Sequence, residues 1–172
     1  MVEKAAVPEK DWNLLFDDFF SQYSKEPEDH KIVLRLSLVQ YELRQYAEAL
    51  ERAKEAARLR PDCPLATWAK ACAIQMLNRH RDSLSLFDQL AKIKPEVLSN
   101  SCCVGGKARA NGLIADAIYR MSLSLQAVGR EQASLQLFSQ HLNCRRPGCY
   151  SIYPLEGLPG FGGHIRSYRP LA

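Results

Sequence analysis

An all-α fold of stacked helical hairpins is what this sequence predicts, and three observations predict it. Pro27, Pro61 and Pro95 stand 34 residues apart, each closing a segment of helical periodicity, and 34 residues is the length of one helix–turn–helix unit. The segments 30–61 and 64–95 align without gaps, placing Ser37 on Ala71, Leu43 on Leu77, Ala49 on Ser83 and Pro61 on Pro95. The chain has 172 residues, 47% of them hydrophobic, which suits one domain with a continuous core.

Taken in order, residues 9–25 place Trp12, Leu15, Phe16 and Phe19 at helical steps without a partner helix before them, which predicts a capping helix. Residues 30–43 carry one apolar stripe through Val33, Leu36, Ser37 and Gln40 and another through Leu34, Leu38 and Tyr41. Two stripes predict a helix buried on both sides. In residues 46–61, Tyr46, Ala49, Ala53, Ala56 and Leu59 form one face, and Pro61 ends the helix because it lacks an N–H and restricts the residue before it. Asp62, two residues before Pro64, reads as the N-cap of the next helix. A third unit, residues 115–143, starts 17 residues late, so an insertion at 98–114 is predicted, read as a loop joining a helix from about Asn111. Residues 144–172 hold five of the nine Gly and four of the nine Pro, which predicts an irregular tail.

These residues resemble the tetratricopeptide repeat family. Ser37, Tyr46, Ala49 and Pro61 in repeat one, Ala71, Ser83, Phe87 and Pro95 in repeat two, and Ser122, Gly129, Ser134 and Phe138 in repeat three take the places of the family pattern, with Ala53 and His80 departing from it. The resemblance spans about residues 11–143. It implies a right-handed superhelix of three hairpins, with the first helix of each lining a concave groove for a partner peptide. The groove residues it implies are Leu34, Leu38, Tyr41, Trp68, Cys72, Gln75, Met76, Tyr119 and Leu123. The cationic clamp that some members use on chaperone C-termini is missing, since Leu34, Leu38 and Ala69 stand in its places. Dedicated secretion chaperones of similar length also resemble this chain, which departs from them in its pI of about 8.8, its insertion and its tail.

Composition narrows the function classes. The first 29 residues carry three Lys against eight acidic residues, the body to residue 143 carries 16 Lys and Arg against 10, and the tail carries four against one. Basic residues of the body are interleaved with acidic ones, which argues against a nucleic-acid partner. No run approaches the ~20 apolar residues of a membrane span, and residues 1–12 hold no apolar leader, so a cytoplasmic protein with reduced thiols is expected.

Catalysis is not expected. Gly106-Lys107 precedes Ala108, and Ser101 stands where a phosphate-binding loop needs its first Gly. The four His residues show no pattern of an activated nucleophile, and no cofactor is expected. His141, Cys144 and Cys149, with Cys102 and Cys103, make up a pool for a metal- or redox-linked regulator, against which stand the non-standard spacing and the adjacency of Cys102 and Cys103. Cys63 and Cys72 read as core thiols. The leading expectation is a protein-binding adaptor or chaperone-like scaffold; a structural oligomer whose tail, residues 150–161, fills its own or a neighbour's groove is the alternative.

Overall fold

The computed structural model describes residues 11–144, all of them in helices or the turns between. Eight helices follow one another among these residues: α1 Trp12–Lys25, α2 His30–Glu42, α3 Tyr46–Leu59, α4 Pro64–Met76, α5 His80–Ala91, α6 Pro95–Ser99, α7 Lys107–Ala127 and α8 Glu131–Cys144. The expected irregular tail, from Arg145 onward, lies outside the described residues, as do residues 1–10.

Each long helix packs on the one before it, and α7 takes up the sequence on α5, with the short α6 laid on α7. Between the paired helices one turn recurs three times. Arg44 N donates to Tyr41 O and Gln45 N to Gln40 O; Asn78 and Arg79 donate to Gln75 and Ile74; Gly129 and Arg130 donate to Gln126 and Leu125. This double bond is the Schellman closure, which satisfies the last carbonyls of a helix and requires a left-handed residue. Arg44, Asn78 and Gly129 supply it, at φ of 62°, 61° and 76°. Small residues then seat the second helix of a pair against the first: Ser37 Oγ donates to Ala49 O at 2.7 Å, and Ser134 Oγ donates to Ser122 O, also at 2.7 Å. The gap-free repeat seen in the sequence is therefore a repeat of hydrogen bonds as well.

The sandwiched character of α2 and α4 follows from their two apolar stripes. Val33, Leu36 and Val39 are inaccessible, as are Ala66, Ala71 and Ala73 of α4. The core runs from Phe19 through these helices to Leu113 and Ala117 of α7. At the N-terminal edge α1 is capped by Asp11, whose carboxylate accepts from Asn13 N and Leu14 N. Arg52 ties that helix down, donating to Tyr23 Oη at 2.8 Å and stacking 4.4 Å from the Tyr23 ring.

Two local expectations need correction. The residue at the cap of α4 is Cys63, while Asp62 pairs with Arg60 at 3.3 Å. The insertion 98–114 takes in the end of the one-turn α6, a turn and the first eight residues of α7, which starts at Lys107, four residues before the expected Asn111. Leu98 and Val104 are buried in one core cluster with Ala110 and Leu113, and Lys107, Ala108, Arg109 and Ala110 are good helix formers, so burial and propensity together extend the helix.

Candidate functional site

The side of the stack shared by α2, α4 and α7 is where the family resemblance implies a groove. Leu34, Leu38, Trp68, Cys72 and Gln75 are buried, Leu34 along the edge of a 270 Å³ cleft. Tyr41, Tyr119 and Leu123 are half-buried, and Met76 is 41% exposed.

What closes this side is a polar network that α7 carries into it. Asp116 accepts from Trp68 Nε1 at 2.6 Å and from Arg120 Nε at 2.8 Å. Arg120 reaches on to Tyr41 Oη at 3.2 Å and lies 5.1 Å from the Trp68 ring. Gln75 donates to Arg120 O and to Ser124 Oγ, which meets Ser83 Oγ at 3.1 Å. The Asp116 and Arg120 side chains are only 3% and 12% exposed. Burial pushes the Tyr41 hydroxyl above its ordinary pKa, with the Arg120 guanidinium opposing, and burial also drives the Cys72 thiol far up, which leaves it un-ionised and inert. Asp116 and Arg120 stand four residues apart in the sequence, the spacing that puts both on one face of α7.

One open surface lies at the last hairpin. A pocket of about 310 Å³ opens between α7 and α8, lined by Ser122, Leu123, Gln126, Ser134, Leu135 and Phe138 with Glu131 at its side. Leu135 and Leu142 are 66% and 51% exposed.

A second concentration of chemistry sits at the opposite ends of the helices. His30 begins α2, Cys63 caps α4, and Cys102 and Cys103 occupy the turn after α6. His30 Nε2 lies 3.2 Å from Cys103 Sγ and 4.0 Å from Cys102 Sγ, and the two sulfurs are 3.3 Å apart. With Cys63 Sγ, every pair among the four donor atoms is within 4.8 Å. The Cys63 thiol is lowered by a hydrogen bond from Cys103 and by the N–H groups of Ala66 and Leu65 at the start of α4, against the cost of burial. Desolvation, then Arg60, lowers His30, which favours neutral imidazole. Cys63 is thus buried, as expected of a core thiol, yet its sulfur faces three other donors. Adjacency does not separate Cys102 from Cys103, because the turn folds both sulfurs to one side.

The other expected group does not assemble among the described residues. His141 is buried, Nδ1 lies 2.8 Å from Ala115 O, and its ring packs on Tyr119 at 5.0 Å. Cys149 and the Cys144 side chain lie outside the described residues. No protein-family model matches the chain, and no curated protein shows significant similarity to it. No helix among the described residues is long and apolar enough to cross a membrane.

Proposed function

We propose that the protein is a tetratricopeptide-like interaction module that binds an apolar segment of a partner polypeptide at its last hairpin. The reading keeps the adaptor or chaperone-like role expected from the sequence and moves the contact surface. One observation carries it: the 310 Å³ pocket between α7 and α8 is walled by Leu123, Leu135 and Phe138, at an end of the stack where α8 packs chiefly on α7. Each earlier hairpin packs against a following helix, while among the described residues none follows α8, and an apolar face without such cover is one that binding can complete. Leu135 and Phe138 are three residues apart and so share one face of α8.

The test is a photo-crosslinking amino acid placed at Leu135 in the full chain. A discrete adduct with a second polypeptide, lost when Leu123→Asp is added and kept when Leu14→Asp is added at the far end, is the expected result. An adduct unaffected by Leu123→Asp, or none, contradicts the reading. Truncation after residue 149 separates a guest chain from the protein's own residues 150–161: a self-contact disappears with the tail, and a partner adduct persists.

A further inference from the structure

Three segments remote in sequence bring sulfur and nitrogen donors to one point: the start of α2, the α3–α4 turn and the 100–106 turn. Thiols do not converge in this way for packing, since each buried S–H is a weak donor that gains little from another. Tetrahedral zinc with bonds of about 2.3 Å to sulfur and 2.0 Å to nitrogen sets ligand atoms roughly 3.5–3.8 Å apart. The observed separations, 3.2, 3.3 and 4.0 Å with a maximum of 4.8 Å, bracket that edge length.

We propose that His30, Cys63, Cys102 and Cys103 form a structural zinc site that locks the 100–106 turn to the starts of α2 and α4. Four protein ligands fill the tetrahedron and leave no position for a substrate, which is the mark of a structural centre. Three soft thiolates and one imidazole select zinc over magnesium or calcium. On binding, each thiol gives up its proton to solvent, so three protons leave as Zn²⁺ enters, and the ligated centre carries one net negative charge.

The surroundings are built for that charge. The start of α4, with the Leu65 and Ala66 N–H groups, lies beside Cys63, and the Arg60 guanidinium lies beside Cys102, so both thiolates would meet positive charge. Lys31, Arg35 and Arg109 line the neighbouring 270 Å³ cleft beside Cys102 and Cys103. Cys102 is exposed, which gives the ion a way in. The site also gives the insertion a purpose, because the 17 extra residues deliver two of the four ligands.

The experiment uses the full chain, purified without added metal for elemental analysis, then stripped under anaerobic reducing conditions and titrated with Co²⁺. Close to one zinc per chain and one Co²⁺ per chain are expected, the latter with the intense visible bands of a tetrahedral centre and thiolate-to-cobalt charge transfer. Cys102→Ser, an exposed change that leaves the packing intact, should cut the charge-transfer intensity by about a third and weaken zinc binding at least tenfold. Cys63→Ser and His30→Ala should also weaken it, with helix content followed by circular dichroism. The Cys144→Ser/Cys149→Ser pair should leave the spectrum unchanged. Metal-free protein with a pale octahedral cobalt spectrum, an unchanged Cys102→Ser spectrum, or loss of the bands in the Cys144/Cys149 pair would each overturn the assignment.

Discussion

Asp116 and Arg120 sit four residues apart on α7, both nearly inaccessible, and a buried ion is tolerable only while its partner and hydrogen bonds are in place. Removing the carboxylate with Asp116→Ala leaves the Arg120 guanidinium buried and uncompensated, and should cost about 3–5 kcal/mol in urea unfolding. Trp68→Ala, which would be a groove variant if Trp68 were open, is instead a core deletion and should cost about 3–5 kcal/mol. The same network makes stability pH-dependent. Burial raises the Tyr41 pKa above 10.0, so the folded state keeps a proton that the unfolded chain releases. Stability should therefore hold below pH 10 and fall as pH rises from there, and Tyr41→Phe should flatten that slope. None of this could be read from hydrophobic stripes alone. An apolar position such as Trp68 looks the same whether a guest or α7 covers it, and its pairing with Asp116, 48 residues away, decides for α7.

At the level of elements, the boundaries of α2 to α5 were legible because two signals agreed, the 34-residue proline spacing and the apolar periodicity. The insertion was less so. Gly106 and Gly112 flank its start and obscure the strong formers Lys107, Ala108, Arg109 and Ala110 between them, which the buried Leu98 and Val104 help to hold in α7. Val104→Ala should loosen that turn and cost about 2 kcal/mol in the same unfolding assay. The recurring turns offer a gain instead. Arg44 is exposed and held at φ 62°, a strain that glycine avoids, so Arg44→Gly should raise stability by about 0.5–1 kcal/mol. Gly129 already holds the equivalent place in the third hairpin.

Across the whole molecule, stacking places equivalent ends of successive hairpins side by side, and that is the source of the thiol cluster. His30 starts α2 and Cys63 caps α4, one repeat on at the same end of the stack, a relation contained in the 34-residue period. The contributions of Cys102 and Cys103 depend on how the insertion turns, which no periodicity encodes. One side is filled by Trp68, Asp116 and Arg120, while the last hairpin keeps Leu135 and Leu142 exposed. The closure of the α2–α4–α7 side is the most directly measurable part of this arrangement. In a Trp12→Phe variant Trp68 is the sole tryptophan, since the chain has two. Its fluorescence should be blue-shifted and resist acrylamide quenching, both with and without a partner bound. Red-shifted, readily quenched emission from the folded protein would show that side to be open, and would contradict the closure.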